Sequence, residues 1–246
     1  MKKLALAACV SAAAVWATVL IPEHLIAQSA PADPLVEGYR QIEVASVADA
    51  MEQLYGQRNH MTHEMRPHTP TKFAGRAVTV SLRKEEHKEG AKALQGMLDA
   101  IDSHGAGSVY VMVVEDGKDI GGIGGLMATT MKARGFAGAV IDGGLRDVAQ
   151  VQKLQFPVFS RSIVPSTSVN HYRFAGANIP VNCGGVRVAA GDIIVADLDG
   201  VAVVPRQQAQ AVLAKAQELE NTEHSMYPFI AKYRSLKEAV ARFGRI

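Results

Sequence analysis

The stretch IDGGLRD, residues 141–147, sets a guanidinium beside a carboxylate one residue after two glycines. Glycines let a ligand approach the backbone closely. Arg146 suits a bidentate grip on a carboxylate, and Asp147 suits a divalent cation. The same pair can also be purely structural, with Asp147 complementing the dipole of the helix that follows and Arg146 on the surface. Spacing alone leaves both readings open. Upstream, GGIGG (121–125) follows an apolar run and opens the helical pattern LMATTMKARG (126–135). Free N–H groups at a helix start favour a small anion. A dinucleotide fits less well, although Asp142 stands near where a ribose-binding acid would: Met127 occupies the place of the third glycine in GxGxxG, and the preceding strand ends too early for a tight phosphate turn.

The other candidates are weaker. His60, His63 and His68 crowd one polar, Pro-punctuated loop but lack the i,i+4 helical spacing of a zinc motif and have no cysteine beside them. They are expected to be solvated. Asp197 and Asp199 in VADLDGV are expected to shape a turn between strands, because too few oxygens surround them for calcium.

Alternating elements must position these residues. GRAVTVSL (75–82), SVYVMVVE (108–115), AGAVID (137–142) and FPVFSR (156–161) read as strands. Helices are expected over 44–56, with Ser46 as cap and Gly56 as stop, and over 91–105, 126–135 and 146–155. Residues 31–41 read as a lead-in and 83–90 as a solvated turn. A run of short strands over 179–205 and two tail helices complete the chain. Alternation implies a mostly parallel sheet covered by helices, with the later strands as a second β layer. Both glycine-rich openings then lie at the carboxyl edge of the sheet, where open α/β folds bind ligands.

The 246 residues, 48% hydrophobic and 20% charged, describe one globular domain, and a net charge of +2 gives no reason to expect nucleic acid. Met1-Lys2-Lys3, an apolar run and Ala27-Gln28-Ser29 have the layout of a secretory signal over 1–29, which predicts export to the periplasm. An uncleaved membrane anchor is one alternative, and lipidation at Cys9 is another, although Cys9 lies early in the apolar run. Removal of the leader takes Cys9 with it and leaves Cys183 without a disulfide partner. A lead-in over 30–43 and one domain over 44–246 follow.

The segments GGLMATTMKARGFAGAVIDGGLRDVAQVQKLQFPVFSR and PVNCGGVRVAAGDIIVADLDGVAVVPR resemble the RraA-like family, which includes 4-hydroxy-4-methyl-2-oxoglutarate aldolases and ribonuclease E regulators. The likeness runs from about Ser46 to the C-terminal helices. It implies a swivelling β/β/α fold, usually trimeric, with sites between subunits. It also implies that Gly124, Gly125, Leu126, Met127 and Arg146 hold the carboxylate of a small 2-oxo acid. Asp147 would bind Mg²⁺ or Mn²⁺, and Arg146 and Asp147 would be the catalytic pair of a metal-dependent lyase that forms pyruvate. Non-catalytic binding on the same scaffold is the alternative. One position departs from the aldolase pattern: an acid 21 residues before the arginine is replaced here by Gly125. A tail glutamate (Glu218, Glu220 or Glu223) from a neighbouring subunit is the expected substitute.

Overall fold

The computed structural model describes residues 33–69 and 72–245, so the segment expected to be a signal, 1–29, lies outside the described residues. Strand β3 (Ser108–Val114) shows why the sheet forms. Its side chains alternate, with Val109 and Val111 packed on one face and Tyr110, Met112 and Val114 on the other, all buried. An apolar run without polar interruption is what a strand covered on both faces requires. β3 pairs in parallel with β2 (Phe73–Lys84) on one side and β5 (Gly138–Leu145) on the other, and β5 pairs in parallel with β6 (Val158–Ile163).

The sheet continues antiparallel beyond β2 into β10 (Ile193–Asp197) and β11 (Gly200–Val204), in the order β1-β6-β5-β3-β2-β10-β11, where β1 is Arg66–Pro67. One face carries α3 (Gln95–Asp102), α4 (Gly125–Ala133) and α5 (Val148–Leu154) over β2, β3 and β5. On that face, α1 (Pro34–Gln41), α2 (Val44–Tyr55) and α6 (Ala209–Tyr233) cover β10 and β11. The opposite face is closed by the hairpin of β8 (Val181–Cys183) and β9 (Val186–Val188). The result is a mixed α/β fold of β, β and α layers, ended by α6 and α7 (Leu236–Phe243). Among the described residues no helix is long and apolar enough to cross a membrane.

Four local expectations are corrected. Residues 34–41 form α1 rather than an unstructured lead-in: Asp33 caps it, Tyr39 is fully buried, and the Tyr39 hydroxyl donates to the Ala209 carbonyl at 2.6 Å. Helix α2 starts at Val44, and Ser46 is buried inside it rather than capping it. A distant carboxylate replaces the local cap, since Val44 N–H donates to Asp197 Oδ2 at 2.9 Å. The 91–105 helix is a 3-10 turn (Gly90–Leu94) leading into a shorter α3. The fourth concerns Gly143 and Gly144, which lie inside β5 rather than in a turn. A Cβ on Gly144 would stand 2.6 Å from the Ile120 carbonyl oxygen, so the pair serves close strand approach.

Cys183 lies at the end of β8, fully buried. Burial pushes its thiol well above the ordinary cysteine range, so it acts as a packing residue.

Candidate active site

The GGIGG run is not a loop. Gly121–Ile123 form strand β4, which pairs in parallel with the far end of β5. Arg146 N–H extends this ladder by donating to the Ile123 carbonyl at 3.1 Å. Gly124 then caps α4 in an extended conformation. The glycine has a steric reason: a Cβ there would meet Asp147 Oδ2 at 2.7 Å and Arg146 Cγ at 2.9 Å. Small residues at this crossing allow the arginine stem to lie against the backbone.

Asp147 is the second unusual point. Its backbone is left-handed, φ 56° and ψ 37°, a region that Asp and Asn tolerate better than other side-chain-bearing residues. Its carbonyl accepts from Gln150 N–H and Val151 N–H, which starts α5. Its carboxylate turns the other way, with Oδ2 accepting from Gly125 N–H at 3.0 Å. Asp147 therefore complements the dipole of α4, not that of its own helix. The expectation that α5 starts at Arg146 is corrected accordingly: that helix opens at Val148.

The contact between Gly125 and Asp147 clasps two strand ends around a cleft of about 250 Å³. Gly124, Leu126, Met127, Arg146 and Asp147 line it, and Leu94, Met97 and Val169 form its apolar side. Gly125 spends its amide on Asp147, whereas the amides of Leu126 and Met127 have no acceptor among the described residues. Arg146 Nε stands 3.5 Å from Asp147 Oδ2, with the side chains 38% and 48% exposed. A pair so exposed contributes only about 0–1 kcal/mol, so its attraction does little to hold the fold.

A divalent cation is compatible with this donor set. Mg²⁺ keeps several waters and needs only one or two carboxylates besides its substrate. Asp147 provides one: its Oδ2 takes a single N–H, and it is the only carboxylate lining the cleft among the described residues. Gly125 adds none. The tail glutamates do not line the cleft either: Glu218 pairs with Lys215, Glu223 takes Tyr227 and Arg245, and Glu220 is buried beside His224.

The remaining candidates fall elsewhere. Asp142 pairs with Arg161 Nε at 2.7 Å and accepts from Gly184 N–H, so it is not poised for a ribose. Asp197 and Asp199 shape the β10–β11 turn, with Asp199 N–H donating to Asp197 Oδ1. His60 and His63 are exposed, His60 forming a backbone bridge to Ala202. His68 differs: it is partly buried, and its Nε2 lies 2.7 Å from Ser160 Oγ. Burial holds its pKa below the ordinary histidine value, against the opposing effect of the Ser160 hydrogen bond. The unfolded chain therefore takes up this proton first. Stability from His68 is complete above about pH 6.5 and falls as pH drops through and below that value. His68→Gln is expected to flatten the decline of the unfolding midpoint between pH 7 and pH 5. An unchanged acid limb contradicts it.

The fold thus defines an α/β protein with a cleft at the carboxyl edge of its sheet, lined by a helix start, a guanidinium and a carboxylate. A family model described as RraA-like, Aldolase/RraA, matches residues 44–203, and the chain belongs to that family. A protein of Halalkalibacterium halodurans with the provisional name 4-hydroxy-4-methyl-2-oxoglutarate aldolase is 30% identical over 181 residues, which is 73% of this chain and 80% of that protein. An uncharacterized protein of Methanocaldococcus jannaschii is 33% identical over 48% of this chain, and the match spans only 56% of its length. Among solved structures, a Streptomyces coelicolor protein described as an unusual member of the RNase ES inhibitor RraA family superposes with a TM-score of 0.68. It is 26% identical, with 79% of this chain and 96% of that chain covered.

Proposed function

We propose that this protein is a divalent-metal-assisted lyase that cleaves a small 2-oxo acid and releases pyruvate. The observation that carries the reading is the clasp of Asp147 Oδ2 on Gly125 N–H, which brings a guanidinium, two free helix-start amides and one carboxylate to a single cleft. The cleft is smaller than the roughly 300–1,000 Å³ usual for drug-sized ligands and suits a small acid.

In this mechanism the Leu126 and Met127 amides and Arg146 hold the substrate carboxylate. Asp147 holds Mg²⁺ or Mn²⁺, which when bound supplies Lewis-acid polarisation of the 2-oxo oxygen. With 4-hydroxy-4-methyl-2-oxoglutarate, the C3–C4 bond breaks as the C4 hydroxyl loses its proton and becomes the carbonyl of one pyruvate, and C3 of the enolate left behind gains a proton to give a second pyruvate. Arg146 faces the negative charge that develops and stabilises it by preorganised electrostatics. Leu126, 87% exposed at the mouth, is apolar surface that a neighbouring subunit would cover in the proposed oligomer, a trimer. The layout of residues 1–29 supports a location outside the cytoplasm in this proposal.

Pyruvate release from oxaloacetate and from 4-hydroxy-4-methyl-2-oxoglutarate, with and without Mg²⁺, tests the reading. It fails if no pyruvate forms above background with either acid. A second reading, a non-catalytic carboxylate binder, is favoured by one observation: no second acid lines the cleft among the described residues. Binding of pyruvate without turnover would establish it.

Gly125 offers a sharper check. A Cβ there would meet Gln150 Cγ at 3.1 Å and Asp147 Cβ at 3.3 Å, so an acid fits once the exposed Gln150 side chain and Asp147 give by a few tenths of an ångström. Gly125→Asp is expected to raise the metal-dependent rate at least about tenfold, less than the roughly hundredfold to ten-thousandfold of an optimally positioned acid–base group. A rate at or below the parent's, in a folded variant, would mean that the missing acid does not limit turnover.

A further inference from the structure

Glu220 is a buried acid that the cleft does not use. It projects from α6 with 7% exposure, and its Oε2 is inaccessible to solvent and has no hydrogen-bond partner among the described residues. Buried polar oxygens are normally satisfied, and buried carboxylates are normally paired. One helical turn on, His224 brings Nε2 to 4.0 Å from Glu220 Oε1. Glu43 completes the group: it stands at the N-cap of α2 but makes no side-chain capping bond, because Asp197 fills that role. One ligand atom from each of Glu43, Glu220 and His224 lies within 4.8 Å of the others. Arg245, the nearby cation, is engaged by Asp49 and Glu223.

Two carboxylates this close, one of them dry, repel each other unless positive charge lies between them. The imidazole supplies a nitrogen donor on the open side. We propose that Glu43, Glu220 and His224 form a divalent-cation site that ties the start of α2 to α6. One nitrogen and two carboxylate oxygens favour the borderline ion Zn²⁺, with the harder Mn²⁺ a weaker fit, over Mg²⁺, which prefers oxygen alone. Glu220 is the fixed ligand, whereas the exposed Glu43 and His224 close onto the ion by side-chain rotation. The two helices already share one apolar core, so an ion across their polar rim would stabilise the folded state by mass action. The inference uses no residue of the cleft and stands independently of the proposed reaction.

The test uses the full chain stripped of metal with a chelator, followed by Zn²⁺ alone or Mn²⁺ alone. Equilibrium dialysis gives the metal bound, and a thermal melt gives the stabilisation. Glu220→Gln should melt higher than the parent without metal, because it removes a dry charge, yet lose the metal-induced rise. His224→Ala, a change at an exposed position, should weaken binding by at least about tenfold, since even outer-shell losses at metal sites cost that much. Asp147→Asn should leave the Zn²⁺-induced rise intact. The site is refuted if Glu220→Gln and His224→Ala bind the same amount of metal, with the same rise in melting, as the parent. It is equally refuted if the parent binds neither ion.

Discussion

Asp147→Ala is expected to lower metal-dependent pyruvate release by at least about a hundredfold and to destabilise the fold, whereas Asp147→Asn loses the activity and keeps the fold. The two substitutions separate the residue's two jobs. Alanine in the left-handed conformation costs about 1–2 kcal/mol. Loss of the acceptor for Gly125 N–H adds roughly 0.5–2 kcal/mol, the usual worth of a helix cap. Asparagine tolerates the same backbone and keeps an oxygen for Gly125, so its unfolding midpoint in urea should stay close to the parent's. It lacks the negative charge that a divalent cation needs. Steady-state pyruvate formation over a Mg²⁺ titration, paired with urea unfolding, reads both effects. Asparagine turning over at the parental rate would mean that the carboxylate only caps α4.

Arg146→Ala should have the next largest effect, a fall in kcat/KM of about a hundredfold to ten-thousandfold. A bidentate guanidinium–carboxylate contact comprises two charge-assisted hydrogen bonds of roughly 1.5–3 kcal/mol each. Arg146→Lys keeps the charge without the fork and should recover only part of the loss. Stability should hardly move, because the ion pair with Asp147 is long and exposed. The loss should include a higher KM, since the side chain is assigned to ground-state binding as well as to the developing charge. A defect confined to unfolding, with kcat/KM intact, would remove Arg146 from the site.

Several elements were legible in the residues because period-2 and period-3.6 patterning needs no distant partner. The runs around β3, β2 and β6 are apolar on both faces, as strands beneath two layers must be. The α2 stop at Gly56 is left-handed, as the glycine implied. β7 (Tyr172–Ala177) carried little signal: it pairs with β2, but most of its residues are only half-buried. The glycine runs misled for a related reason. Glycine marks turns by conformational freedom, yet here the runs at 121–124 and 143–144 mark places where backbone or side chain crosses too close for a Cβ.

Residue type and spacing alone placed Arg146 and Asp147 together and put a helix start within reach of the same sheet edge. They could not say which helix the Asp147 carboxylate would serve, nor that Gly125 would surrender its amide to it while those of Leu126 and Met127 stay without an acceptor among the described residues. They also gave no sign that Glu220 would lie dry beside Glu43, a residue far away in the chain. The physical reason is common to all three. Local pattern reports what a residue does to its own backbone, whereas the partner of a charged or polar side chain is chosen by packing of remote segments, which only the folded chain brings together.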